Sequence, residues 1–150
     1  MIRLATRDDV PALLTMGRQF IQFSEYKAIN DHLTDEQLAN GISAVIDCGV
    51  SFVALDGERI IGGILGVIGP LWFAPHMQTA VELAWWVDPA HRGMAGIRLM
   101  QEFEREAKQR GLKYVAMSDL VMNGRDETPA ARILGIMGYT LTERMHSKEI

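Results

Sequence analysis

From Val87 to Ile97 the chain reads Val-Asp-Pro-Ala-His-Arg-Gly-Met-Ala-Gly-Ile, an apolar strand-like exit, a glycine-bearing turn and the start of an amphipathic segment. A turn that opens a helix leaves the first N–H groups without partners and the positive end of the helix dipole behind them. Such an end can hold an anion. Arg92 at its lip adds a planar donor fork that suits phosphate oxygens, and the expected backbone contacts run through Gly93, Met94, Ala95, Gly96 and Ile97. A glycine is also needed in many strand-to-helix turns for steric reasons alone, so a turn with no ligand is the competing reading.

The bulk of the sequence narrows the partners of such a turn. With 15 Lys and Arg against 19 Asp and Glu the formal charge is −4, which gives no support to a nucleic-acid partner. Local basicity at His91, Arg92 and Arg98 suffices for one phosphate-bearing small molecule. The single cysteine, Cys48, rules out an intramolecular disulfide, and no Cys/His cluster has metal spacing; a reducing cytoplasm and no metal are expected. Cys48 is expected in the core. The first ten residues carry charge at once and lack a secretory apolar core. The stretch Ile60 to Pro75 is interrupted by glycines and prolines and is too short for a membrane span, so no membrane partner is expected.

The elements that must position the turn follow from periodicity. Ile2 to Ala5 reads as a short strand, and Thr6 with Asp9 forms a capping pattern before a helix with Val10, Leu13, Leu14, Gly17, Phe20 and Ile21 on one face. Thr34 with Gln37 opens a second helix burying Leu38, Ile42, Val45 and Ile46, with Gly49 expected as its left-handed cap. Asp56-Gly57 between two apolar runs, Val50 to Leu55 and Arg59 to Ile68, marks a hairpin. Pro70 to Gln78 is expected to be a loop, Thr79 to Val87 a strand, and Gly96, Leu99, Met100, Phe103 and Ala107 the stripe of a third helix. Tyr114 to Leu120 then reads as a strand, Pro129 to Met137 as a helix behind Thr128, and Tyr139 to Lys148 as a last strand. Residues 1–150 thus form one mixed α/β domain of order β-α-α-β-β-β-α-β-α-β.

This order, with Val87-Asp88-Pro89-Ala90-His91-Arg92-Gly93 at the exit of the fourth strand and Gly138-Tyr139 before the last, resembles the GCN5-related N-acetyltransferase (GNAT) superfamily over essentially the whole chain. Trp72-Phe73, Glu82-Leu83-Ala84-Trp85-Trp86-Val87 and His91-Arg92-Gly93 are similar to a subset frequent in bacteria and phages. The resemblance implies that the turn holds the pyrophosphate of acetyl-CoA, that pantetheine runs along the fourth strand past Trp85, Trp86 and Val87, and that the thioester reaches a gap between strands four and five. Two departures stand out. The family's loop has Gly where Ala95 stands and Gly or Ala where Ile97 stands, and its proton-donating tyrosine on the last helix is matched by Leu134.

Acetylation of an amine with a pKa of about 10 calls for a base at neutral pH. Glu82, flanked by Ala80, Leu83 and Ala84, is the candidate, since partial burial raises a carboxyl pKa; a solvent-facing or ion-paired carboxylate is the alternative. Strict alternation puts Glu82 with Ala84 and Trp86 on one face, and a bulge would reset that parity. A free N–H of Trp86 or Val87 could polarise the carbonyl. Ser118 is a substitute proton relay, or a satisfied hydroxyl, and Tyr139 a core residue. Trp72 and Phe73 could wall the acceptor pocket, meet a second subunit in a homodimer, or cap the sheet edge. Phe20, Phe23 and Tyr26 fall where the family shapes its acceptor site, and Glu25, Asp31, Asp35 and Glu36 nearby could attract a cation or form a solvated acidic loop. The expected activity is direct transfer from acetyl-CoA to a primary amine, of a small molecule or a peptide, because no nucleophile is credible. A non-catalytic acyl-CoA-binding module is the alternative.

Overall fold

The structure, a computed structural model, describes residues 1–120, 128–148 and 150. Its elements are β1 (Ile2–Leu4), α1 (Val10–Phe23), α2 (Asp35–Cys48), β2 (Val50–Asp56), β3 (Arg59–Leu71), β4 (Ala74–Val87), α3 (Met94–Gln109), β5 (Tyr114–Ala116) and α4 (Pro129–Ile136). The five strands form one sheet in chain order, antiparallel except for the parallel β4–β5 pair joined through α3.

Both capping patterns act as their residue types dictate. The Thr6 N–H donates to Asp9 Oδ2 at 2.8 Å, and Arg3 donates to both Asp9 oxygens at 2.7 and 2.8 Å. At α2 the exchange is reciprocal: Gln37 N–H to Thr34 Oγ1 at 3.2 Å and Thr34 N–H to Gln37 Oε1 at 2.9 Å. Helices α1 and α2 cover one face of the sheet with Leu13, Ile42 and Val53 buried between them. On the other face α3 presents the expected stripe, and Leu99, Met100 and Phe103 are fully buried.

Five expectations need correction. Gly49 is not a left-handed cap, since its φ is −116°; a Cβ there would stand 2.0 Å from the carbonyl oxygen of Gly66, so the glycine serves a close approach of two backbones. Residues 70–78 are not a loop. Strands β3 and β4 continue to a turn with Trp72 and Phe73 at its tip, because Pro70 and Pro75 sit on strands free to tolerate them. The fifth strand pairs only from Tyr114 to Ala116, and residues 139–148 form no strand at all. Residues 139–148 pair with neither outer edge of the sheet, and Leu141 and Met145 are exposed. Cys48 also lies exposed at the end of α2, off the Leu38–Ile42 stripe.

The glycine-rich third strand is explained by contact. A Cβ on Gly66 would lie 2.5 Å from the ring of Phe103 and 2.8 Å from the carbonyl oxygen of Val81, so α3 packs directly on the strand backbone. In contrast a Cβ on Gly41, inside α2, would meet nothing. Gly49→Ala should therefore destabilise the protein by about 1–3 kcal/mol and Gly41→Ala should stabilise it by about 0.5–1 kcal/mol, both read as midpoints of urea unfolding.

Candidate active site

The site is built where β4 and β5 part. Their pairing ends at Val81 and Ala116, and just beyond it the side chain of Glu82 spans the opening. Its Oε2 accepts from the Ser118 N–H at 2.9 Å and from the Ser118 hydroxyl at 2.6 Å. Glu82 is 4% exposed. Burial pushes its carboxyl above the ordinary range, and the two Ser118 hydrogen bonds oppose that rise. Glu82 and Ser118, chosen from sequence for different tasks, are thus one unit.

A bulge decides which way this carboxylate faces. Leu65 pairs with Ala84 and Gly66 with Glu82, so Leu83 has no partner on β3. Paired residues share a face, and Gly66 looks toward Phe103 of α3. Glu82 therefore lies on the α3 side with Trp85 and Val87, while Ala84 and Trp86 turn to the α1 and α2 side. Strict alternation would have kept Glu82 with Ala84 and Trp86; the extra residue breaks it.

At the far end of β4, Asp88 accepts from Arg59 at 2.8 Å and from the Ala90 N–H at 3.2 Å, holding the short turn of Pro89–His91. Gly93 then takes φ +118°, a conformation that L side chains rarely adopt, and starts α3. The N–H groups of Met94, Ala95 and Gly96 fall in the first turn of this 16-residue helix, where no backbone acceptor precedes them, whereas the Ile97 N–H, also expected at the anion, is the first with an intrahelical acceptor, the carbonyl of Gly93. Gly96 also serves packing. A Cβ on it would stand 3.2 Å from the Trp85 ring, so it lets helix and strand close on each other. Trp85 Nε1 is buried beside this turn without a hydrogen-bond partner, a donor that an entering acceptor atom would satisfy.

The Asp88 N–H bonds to the Ile61 carbonyl at 2.8 Å. Strand alternation then turns the N–H groups of Val87 and Trp85 toward the gap and that of Trp86 toward β3. Of the two amides expected to polarise a carbonyl, Val87 is the one so directed. Arg92 donates from Nε to the Val87 carbonyl at 3.2 Å, and its guanidinium lies 4.8 Å over the Trp86 ring. Trp86 in turn stacks on Phe23 (5.8 Å, 18°) and meets Phe20 edge-on (6.4 Å, 88°).

Other expected site residues are not brought together with Glu82. Trp72 and Phe73 pair with each other at the exposed hairpin tip, 89% and 67% exposed, and some nine residues of β4, roughly 30 Å along the strand, separate them from Glu82. Tyr26 follows α1 and is exposed. Of the acidic residues, Asp35 is engaged by Arg18 at 2.7 Å. Leu134 is buried in α4 and offers no proton. Tyr139 is tied by its hydroxyl to Glu104 of α3 at 2.7 Å, and burial with that carboxylate holds the phenol protonated, its pKa raised; it anchors the segment after α4 and is not a strand residue.

The Acetyltransferase (GNAT) family model matches residues 17–135, from α1 to the end of α4. The chain belongs to the GNAT acetyltransferase family. No curated protein matches it. Among solved structures, this GNAT chain is similar to a GCN5-related N-acetyltransferase from Ralstonia eutropha, with 19% identity over all of this chain and 97% of that one and a TM-score of 0.78. It is also similar to a transcriptional regulator from Bacillus halodurans, 18% identical over 100% and 99% of the two chains, TM-score 0.76. A third is a predicted acetyltransferase from Clostridium acetobutylicum solved with acetyl-CoA, 15% identical over 99% and 95%, TM-score 0.69. At these identities the likeness is one of fold. Among the described residues no helix is long and apolar enough to cross a membrane, and no group of three His, Cys, Asp or Glu is placed to hold a metal ion.

The raised carboxyl pKa has a consequence for stability. A group whose folded pKa exceeds its unfolded value contributes most below the unfolded value, and that contribution is lost as pH rises through the folded one. Glu82→Gln keeps an acceptor for Ser118 and removes the charge. Its melting temperature should exceed that of the wild type at about pH 8 and converge on it near the ordinary glutamate pKa of about 4.3, as measured by thermal denaturation across pH.

Proposed function

We propose that this GNAT protein transfers the acetyl group of acetyl-CoA directly to a primary amine, with Glu82 as the base. The observation that carries this reading is the desolvated Glu82 carboxylate, held by Ser118 at the opening between β4 and β5, on the same strand that leads to the free N–H groups at the start of α3.

The residues around the opening fit acetyl-CoA. The free N–H groups at the start of α3 and the Arg92 fork suit its pyrophosphate, and the unsatisfied Trp85 Nε1 lies beside Gly96 of that turn. When bound, acetyl-CoA supplies a thioester whose carbon–sulfur bond breaks as the bond to nitrogen forms. The Val87 N–H, directed into the gap, is placed to hold the carbonyl oxygen as negative charge develops on it. Glu82 accepts the amine proton, directly or through one water, and the Ser118 hydroxyl keeps the receiving oxygen in position. A thiol of pKa about 8.5 departs tolerably as thiolate near neutral pH, so the step does not require the acid missing at Leu134.

The buried leucine at 134 is the observation favouring the other reading, a module that binds acyl-CoA without turnover. Calorimetry and an amine screen separate the two. We expect acetyl-CoA to bind the wild type, Arg92→Ala to weaken that binding about tenfold, and Glu82→Gln to retain it while losing about 10²-fold or more in kcat/KM. Binding with no turnover on any amine selects the module; no binding of any CoA species returns the turn to sterics.

The pH profile provides a second check. Wild-type kcat/KM should rise with pH through the elevated Glu82 pKa, as the carboxyl becomes able to accept a proton. Ser118→Ala removes a hydrogen bond that lowers that pKa, so its rising limb should move to higher pH.

A further inference from the structure

The hairpin of β3 and β4 is longer than the sheet that holds it. Pairing of β2 with β3 ends at Gly66, and pairing of β5 with β4 begins at Thr79. One further bond reaches past that point, from the Lys113 N–H to the Gln78 carbonyl at 3.1 Å. Residues 67–77 therefore leave the sheet as a ribbon of two strands, about 15 Å long. Two strands by themselves are marginally stable in water and gain from any surface packed on them.

The ribbon is apolar and carries no formal charge. Trp72 and Phe73 at its tip meet each other edge-on (5.4 Å, 90°) and stay 89% and 67% exposed. Pro70 and Pro75 flank them and are exposed as well. A Cβ on Gly69 would meet nothing within 4 Å, so no other part of the described chain lies over that position. From Ile60 to Val81 there is no Asp, Glu, Lys or Arg. The two prolines remove a backbone donor from each strand, so the ribbon offers side-chain packing in place of a continuous ladder of N–H bonds.

We propose that this ribbon is the contact surface of a homodimer, with Trp72 and Phe73 of one copy packed against the same ribbon of a second copy across a twofold axis. Charge and area select this occupant. The chain has a formal charge of −4, and a twofold contact sets each patch against its own equivalent. A patch without formal charge meets itself with no like charges opposed. One buried aromatic side chain accounts for about 150–250 Å², so the four rings of two ribbons supply about 600–1,000 Å². A specific interface starts at about 1,200 Å², and Pro70, Leu71, Pro75 and Met77 on each ribbon add to the rings. An anionic lipid surface is a poorer match, because clustered lysine and arginine recognise it and the ribbon has neither. The contact lies at the far end of β4 from the anion turn and does not depend on the acetyl-transfer reading.

Sedimentation velocity of the full chain tests this. We expect the mass to rise from that of one chain, 16.7 kDa, to twice that value by about 100 μM, since interfaces of standard size associate at micromolar concentration or below. Trp72→Lys should weaken the association at least about tenfold with the far-UV circular dichroism unchanged. Ile136→Lys, on an equally exposed apolar residue of α4, should leave it intact. A chain still monomeric at about 100 μM overturns the proposal. So does a dimer that Trp72→Lys leaves intact or that Ile136→Lys weakens as much, because the interface then lies elsewhere. Growth past two chains also overturns it, since a twofold contact closes at two. Vesicles of phosphatidylcholine provide the last arm: a monomer that sediments with them, and loses that property in Trp72→Lys, gives the tip to a lipid surface instead. Mass is read without turnover, so loss of the acetyl-transfer reading leaves this result unchanged.

Discussion

The structure turns on one unpaired residue, Leu83. A sheet strand with strict alternation commits every second side chain to the same face. The bulge at Leu83 breaks that commitment in the middle of β4, so that a carboxylate and an aromatic wall, four residues apart, serve opposite sides. Without it Glu82 and Trp86 would share a face. The same irregularity falls where β4 and β5 lose their pairing, which is why the opening and the buried carboxylate coincide.

Holding a carboxylate at 4% exposure is unfavourable unless its charge is solvated by the protein. Ser118 supplies two donors, one from the backbone and one from the side chain. That is enough to order the group and too little to bring its pKa down to the ordinary value. A carboxyl stabilised by an arginine, like Asp9 by Arg3, is a poor base because its pKa is lowered. The contrast between these two acidic residues, both buried, shows how the charge of the partner sets the direction in which a carboxyl pKa moves.

Trp86 links the two halves of the site. Its ring lies under Arg92 of the turn before α3 and against Phe20 and Phe23 of α1. The turn, the fourth strand and the first helix are therefore in register through a single indole, whose position depends on a strand packed between helices on both faces. The glycines of β3 allow that packing, because α3 sits on Gly66 and α1 on Gly63.

Much of this was legible in residue order. The helix starts at Thr6 and Thr34, the Asp56-Gly57 hairpin, the α3 stripe and the turn at Arg92-Gly93 depend on short-range hydrogen bonding and 3.6-residue spacing, which neighbouring residues determine. Glu82 and Ser118 could each be picked as reactive, since a carboxylate amid apolar residues is rare enough to notice. Their pairing could not, because 36 residues separate them and only the parallel docking of β5 on β4 brings them within 2.6 Å. The bulge and the role of Gly96 likewise depend on what packs across the sheet. The strand expected at 139–148 failed for the same reason: whether the segment after α4 docks on the free edge of β5 is decided by long-range packing and not by its own residues.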